Sequence, residues 1–134
     1  GADAQSISKI ASGGELARVM LALKGALADK NGTSTIIFDE IDTGISGKAA
    51  NSVASKLKSI SRNHQLLCIS HLAAIAASAD SNYYISKKVE NERTATSVKL
   101  LQEQEVLQEI ARISSGEINE VTLQYASELR KNIA

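Results

Sequence analysis

The chain has 134 residues, enough for one compact domain, and its 15 basic and 15 acidic residues cancel to a net charge of zero. This balance excludes the strongly basic surface of a domain that holds nucleic acid on its own. A single cysteine, Cys68, excludes an internal disulfide and a C-x-x-C metal motif, and it fits a reducing, cytoplasmic setting. No apolar stretch reaches the length of a membrane span, so we expect no membrane partner.

Apolar periodicity predicts helices and strands that alternate along most of the chain. The first helix is predicted to open at Ser12, with an apolar face at three- and four-residue steps: Leu16, Val19, Met20, Leu23 and Leu27. Short apolar runs at 34–38 and 66–69 predict two buried strands. A helix is predicted after each strand, with apolar faces at Ala50, Val53, Ala54, Leu57 and Ile60 and at Leu72, Ile75, Ala76 and Ala79.

The remainder of the chain predicts a different arrangement. Strands near 83–88 and 96–101 flank the polar segment 90–93, which predicts a hairpin turn. Two helices close the chain, at about 105–115 and 119–132, and Gly116 is suited to end the first of them. Together the elements predict an α/β fold, with a partial parallel sheet and flanking helices followed by a C-terminal β-hairpin and two helices.

The segment Ser12-Gly13-Gly14-Glu15 permits two interpretations. Serine at a helix N-cap with glutamate three residues later is a capping box. Two glycines in a first turn are unfavourable, by up to about 1 kcal/mol each against alanine, and they let a backbone come close to a ligand. Because a helix N-terminus offers free N–H groups and a positive dipole end, the segment also suits phosphate. The residues alone leave both interpretations open.

Asp39 and Glu40 directly follow the first predicted strand and are the most informative pair in the chain. Parallel sheets bind ligands at the carboxyl ends of their strands. One acid can hold Mg²⁺ and the other can polarise an attacking water, as phosphoryl transfer requires. Loop-capping acids are one alternative, and a metal hydrolase that also uses Asp42 is another. The apolar run before the pair favours the nucleotide site.

Ser70 and His71 follow the second predicted strand, which we expect to lie beside the strand that ends at Asp39. His71 would then share a sheet edge with the acids and contact a terminal phosphate or the attacking water. A structural hydrogen bond is the alternative role. The segment 44–49 is too short for a phosphate-binding P-loop and has Ala49 where Ser or Thr should bind Mg²⁺. The chain thus has acids for a metal and no cradle for phosphates.

In their order and spacing, these segments resemble the C-terminal lobe of a P-loop ABC-type ATPase head. Ser12-Gly13-Gly14-Glu15 resembles the signature motif, and residues 36–40 resemble the Walker B strand. Residues 41–47 resemble the D-loop, and His71 stands at the position of the switch histidine. Transporter heads usually follow the two acids with Pro-Thr, whereas Ile41-Asp42 is similar to the SMC-like repair ATPases.

Two longer stretches, 10–24 and 38–47, resemble the RecN family of bacterial DNA double-strand-break repair proteins, and the likeness extends over nearly the whole chain. Two departures stand out. Ser46 occupies the D-loop position that holds Asp in most ABC heads, which puts that carboxylate role in doubt. Ala73-Ala74 replaces the Pro-Gln that often follows the histidine in RecN relatives.

The resemblance implies roles for the site residues. Asp39 would help to hold Mg²⁺, Glu40 would position or activate the hydrolytic water, and His71 would sense the γ-phosphate. The signature residues would bind the ATP of an opposing head in a homodimer, with Ser12 and Gly14 at its γ-phosphate and Gly13 and Glu15 beside them.

The resemblance also implies partners. The Walker A loop would lie on an N-terminal lobe of the same protein, and residues 1–9 would be a linker from a coiled-coil arm, so that 1–134 is the C-terminal lobe alone. We expect ATP hydrolysis, DNA contact and nucleoid association from the full-length protein, and no activity from this fragment. A non-catalytic binding module, a stand-alone metal hydrolase and the head of another SMC-like or transporter ATPase are the alternatives.

Overall fold

The computed structural model describes residues 13–90 and 93–133, so the predicted linker 1–9 and Ser12 lie outside the described residues. The predicted order of elements is confirmed. The elements are α1 (Gly13–Asn31), β1 (Thr35–Asp39), α2 (Gly47–Ser61), β2 (Gln65–Ile69), α3 (Ala73–Ser78), β3 (Tyr83–Glu90), β4 (Arg93–Leu100), α4 (Glu103–Ser115) and α5 (Glu120–Ile133).

The strands form two small sheets within the described part of the chain. β1 and β2 pair in parallel, from Thr35 opposite Gln65 to Asp39 opposite Ile69, as expected for strands joined by a crossover helix. β3 and β4 form the predicted antiparallel hairpin. The α/β fold class with a partial parallel sheet is therefore confirmed.

The prediction that both parallel strands are buried is wrong. Along β1 only Ile36 and Phe38 are buried, while Ile37 between them is exposed. On β2, Leu67 and Ile69 are exposed and only Leu66 is partly buried. The physical reason is that the described elements pack against one face of this sheet, so alternate side chains of β1 enter the core and the others remain open.

Helix α2 supplies the centre of the larger core. All five residues of its predicted apolar face are buried: Ala50, Val53, Ala54, Leu57 and Ile60. They pack in one cluster with Ile36 and Phe38 of β1 and with Ile41 and Ile45 of the following loop. The 3.6-residue period of the sequence thus predicts this face correctly.

Helix α1 is present as predicted, but its apolar stripe does not enter the core. Leu21 and Ala28 are buried, whereas the predicted face is exposed at each position: Leu16, Val19, Met20, Leu23 and Leu27. The helix approaches α2 closely at Gly25, where an added Cβ would lie 2.8 Å from Ile60 Cδ1. A groove of about 420 Å³ lies between the open stripe and β1.

A second core lies among α3, α4 and α5. Its buried members are Ala77, Val106, Ile110, Ala111, Ala126 and Leu129. Helix α4 ends at Gly116, as predicted, in a left-handed conformation (φ 80°) that glycine adopts without strain. Helix α3 is shorter than predicted, and Leu72, Ala76 and Ala79 of its expected apolar face are only half-buried.

Truncation of Ile110 should measure how much the second core stabilises the chain. Ile110 is 0% exposed, so Ile110→Ala should lower the free energy of unfolding by about 2–5 kcal/mol through lost burial and a residual cavity. Ile118 is 52% exposed, and Ile118→Ala should change the free energy of unfolding by no more than about 0.5 kcal/mol. Urea denaturation of both variants checks this, and equal losses would contradict the packing described.

Candidate active site

The parallel pairing of β1 and β2 brings the predicted site residues to one edge of the sheet. Asp39 ends β1 opposite Ile69, and the Glu40 N–H donates a hydrogen bond of 3.2 Å to the Ile69 carbonyl. Ser70 and His71 follow Ile69 directly. The predicted adjacency of the two strand ends is therefore confirmed, although the strands are 30 residues apart in sequence.

Asp39 and Glu40 are both exposed at this edge. Neither carboxylate takes part in a hydrogen bond or ion pair with another residue in the described part of the chain. Two accessible acids without structural partners do not fit the alternative in which they merely cap a loop. They are available to a ligand that approaches from solvent.

The backbone of Glu40 is strained. Its φ of 50° makes it the single non-glycine residue with a positive φ among residues 13–90 and 93–133. The Glu40 carbonyl accepts hydrogen bonds from the Thr43 N–H (3.2 Å) and the Thr43 hydroxyl (3.0 Å), which hold the turn. Backbone strain of about 1–3 kcal/mol persists where the surroundings fix it, and it concentrates at functional sites.

Asp42 is buried beneath this edge, with 1% of its surface exposed. Its Oδ2 accepts hydrogen bonds from the Ser70 hydroxyl (2.6 Å) and the His71 N–H (2.9 Å), and it lies 3.1 Å from His71 Nδ1. The sequence predicted only a third acid near the pair. The neighbouring apolar residues Ile41 and Ile45 are the sequence signal for burial of Asp42, because both anchor the loop in the core.

The surroundings of Asp42 act on its pKa in opposite directions. Burial raises the pKa because it disfavours the charged form. The hydrogen bonds from Ser70 and His71, together with the nearby imidazole, outweigh burial and hold the pKa of Asp42 below its ordinary value. The group is therefore a buried carboxylate at neutral pH.

His71 lies at the surface, with 78% of its side chain exposed. One ring nitrogen and the backbone N–H face Asp42, and the rest of the ring is open to solvent. The turn is tightened by the Leu72 N–H, which donates to the Ser70 hydroxyl at 3.0 Å. The imidazole is thus held at one nitrogen and accessible at the other.

The structure describes only part of the segment 12–15, which was predicted to be the signature motif. Gly13 and Gly14 are the first residues of α1, and Glu15 is exposed in its first turn. Ser12 lies outside the described residues, so the capping and phosphate-binding interpretations both stay predictions. Ser46, at the D-loop position, is exposed and makes no side-chain cap to α2.

The residues fit the magnesium that accompanies a nucleotide better than a metal cage built by protein alone. Within the described ranges, no group of three or more His, Cys, Asp or Glu side chains is arranged to hold a metal ion. One exposed carboxylate, Asp39, suits Mg²⁺, which usually takes one or two protein acids and completes its shell with water and phosphates.

Comparison with solved structures identifies the fold. The chain is similar to a structure described as "Structural biochemistry of ATP-driven dimerization and DNA stimulated activation of SMC ATPases", with a TM-score of 0.61 and 24% identity. The match covers 88% of this chain and 70% of that one. The fold is therefore that of an SMC-type ATPase. No helix in the described part of the chain is long and apolar enough to cross a membrane.

Comparison with curated sequences finds similar DNA repair proteins, although no family model matches. The DNA repair protein RecN is 46% identical over 130 residues in Halalkalibacterium halodurans, 47% over 128 in Bacillus subtilis and 46% over 123 in Deinococcus radiodurans. These matches cover 96%, 95% and 92% of the chain. Over the stretch that it covers, the chain is similar to RecN proteins. It spans only 22–23% of the length of these relatives.

Acid should weaken the fold through Asp42. An aspartate in an unfolded chain has a pKa of about 3.9, and the folded value is lower. The charge of Asp42 therefore stabilises the fold fully above about pH 4, and this contribution is lost as pH falls through the folded pKa. Asp42→Asn should lower the unfolding free energy at pH 6 by about 1–3 kcal/mol and flatten its decline in acid.

Urea denaturation between about pH 2 and about pH 7 measures this effect, because this range spans the titration of an aspartate. Asp80→Asn is the matched control, because Asp80 is an exposed aspartate that pairs with Lys58 at the surface. An acid decline as steep in Asp42→Asn as in the wild type would show that another group carries it.

Proposed function

We propose that this chain is the C-terminal lobe of a RecN-type ATPase head and supplies the metal, water and phosphate-sensing residues for ATP hydrolysis. One observation carries the proposal: two unpaired exposed carboxylates and an accessible imidazole share the carboxyl edge of a parallel sheet, in a chain whose sequence has no phosphate-binding loop. Such a set of residues is half of a phosphoryl-transfer site.

Each residue has a distinct role in this proposal. Asp39 would hold Mg²⁺, which would supply positive charge against the charge that develops on the phosphate oxygens. Glu40 orients the attacking water and accepts its proton, a role that its exposed position and missing partners support. His71 contacts a terminal phosphate oxygen or the attacking water through its open nitrogen.

The signature segment acts on a second molecule. Ser12, Gly13, Gly14 and Glu15 contact ATP that is bound to the opposing head, so the nucleotide joins two heads in a homodimer. The N-terminus of α1, a 19-residue helix, supports this role because its N–H groups and dipole suit phosphate. The similar SMC ATPases are described as dimerising in an ATP-driven way.

A Walker A lobe of the same protein completes the site. The open apolar stripe of α1, the groove beside it and the outward Ile37 form a surface that a second lobe can cover. Hydrolysis would release the heads, and DNA would be engaged through the full-length protein in the cytoplasm, at the nucleoid. The relatives' description as DNA repair proteins supports a role in DNA repair. We propose that this role lies in double-strand-break repair and recombination.

In a full-length RecN-type protein that carries this segment, Glu40→Gln should trap ATP. The amide keeps the shape of the side chain but cannot take a proton from water, so ATP hydrolysis should fall by about 100-fold or more while ATP binding persists. ATP-bound dimers should accumulate in size-exclusion chromatography with light scattering. Glu103→Gln is the control, because Glu103 is an exposed glutamate on α4 that pairs with Arg130 of α5. Unchanged turnover in Glu40→Gln would contradict the role of Glu40 as the base.

The isolated chain should hydrolyse no ATP but should bind a Walker-A-bearing lobe when ATP is present. Leu23→Asp on the open stripe should abolish that association, because it places a charge in the apolar contact. Val121→Asp, on an exposed apolar residue of α5, should leave it intact. Analytical ultracentrifugation with and without ATP measures both. Robust ATP turnover by the chain alone would contradict the proposal that the site is divided between two lobes. Absence of nucleotide-dependent association would favour a non-catalytic binding module.

A further inference from the structure

Asp42 is an unusual member of the core. The buried polar residues of the described chain are Asp42 and Ser78. Ser78 donates to the Ile75 carbonyl within its own helix, at 2.8 Å, so its burial is satisfied locally. The partners of Asp42 are 28 and 29 residues away, across the end of the parallel sheet. Asp42 therefore connects two turns that sequence separates.

Stability alone does not account for this carboxylate. Burial of a charge is costly, and a well-packed apolar residue is often as stabilising as a buried polar network. Three nitrogen or oxygen atoms surround Oδ2, while Oδ1 is buried with no hydrogen-bond partner. A side chain selected for stability would satisfy both oxygens. The arrangement instead concentrates its contacts on the Ser70-His71 turn.

The two turns that Asp42 joins carry the two proposed reactive groups. Glu40 lies two residues before Asp42, in a turn whose carbonyl is fixed by Thr43. His71 is fixed by two contacts with the same oxygen of Asp42, one through its backbone and one through its ring. A charged acceptor makes hydrogen bonds about twice as strong as a neutral one. Asp42 thus restrains His71 relative to Glu40 without reaching solvent itself.

We propose that Asp42 is a positioning residue: it clamps the Ser70-His71 turn to the Glu40 turn and so fixes the imidazole at the distance from the water-activating acid that turnover needs. The inference rests on the proposed function, since it assigns Asp42 an effect on the chemistry of Glu40 and His71. Asp42 touches neither substrate nor metal in this scheme, and it acts through His71.

The kinetic test uses a full-length RecN-type protein that carries this segment. Asp42→Asn keeps the shape and one acceptor but removes the charge, and it should lower kcat for ATP hydrolysis by about 10- to 100-fold, as a small misplacement does. KM for ATP should change far less than kcat, because the phosphate cradle of the proposed site lies on the Walker A lobe and does not depend on the clamp. Asp42→Glu restores the charge and should recover part of kcat. Asp80→Asn, the exposed aspartate control, should match the wild type.

A double-mutant cycle separates positioning from general support of the fold. If Asp42 acts through His71, then adding Asp42→Asn to His71→Ala should lower kcat by less than about twofold further. The proposal would be overturned if the kcat loss of the double variant equalled the product of the losses in Asp42→Asn and His71→Ala. So would an unchanged kcat in Asp42→Asn, or a kcat loss that comes with equal loss of folded protein in thermal unfolding.

Hydrogen exchange supplies a readout that does not depend on ATP hydrolysis. Peptides that contain residues 70–72 should exchange several-fold faster in Asp42→Asn and in Ser70→Ala than in the wild type, because the His71 N–H loses its charged acceptor or its neighbour. Unchanged exchange would overturn the clamp even if the enzyme is active. A wild-type protein that hydrolyses no ATP would instead overturn the proposed function, and the exchange rates would still decide whether Asp42 holds the turn.

Discussion

The parallel pairing of β1 with β2 is the constraint on which the site depends. It places Asp39 opposite Ile69 and continues through the Glu40 N–H, so that two turns from separate parts of the sequence start side by side. A crossover helix is required between parallel strands, and α2 meets that requirement while it supplies the apolar face beneath the sheet. The same helix therefore builds the core and sets the spacing of the acids and the imidazole.

In the described part of the chain, the parallel sheet is covered on one face only. α2 closes one face of the sheet, whereas Ile37, Leu67 and the stripe of α1 remain exposed. A surface of this kind on a soluble protein marks an interaction site. The open side lies next to the strands that carry the candidate site, so whatever covers it would also approach Asp39. The proposed divided site and the open apolar face therefore lie on the same side of the sheet, so one partner could contact both.

The sequence correctly predicted the features that depend on local residue patterns. The 3.6-residue period gave the buried face of α2, and apolar runs before the acids and the histidine gave both strands and their common edge. Burial of the stripe of α1 and of β2 could not be predicted, because it depends on what packs there and not on the periodicity of the segment. The role of Asp42 was missed for a related reason: its partners, Ser70 and His71, are close only after folding.

Three acids within four residues have different environments, and those environments separate their functions. Asp39 and Glu40 are exposed and unpaired, so their charges are available to a metal and a water. Asp42 is held ionised by donors from the neighbouring turn, so its charge acts inside the protein. The strained φ of Glu40 makes this separation possible, because it turns the chain sharply between the exposed pair and the buried Ile41. A single tight turn therefore presents two carboxylates to solvent and keeps a third for structure.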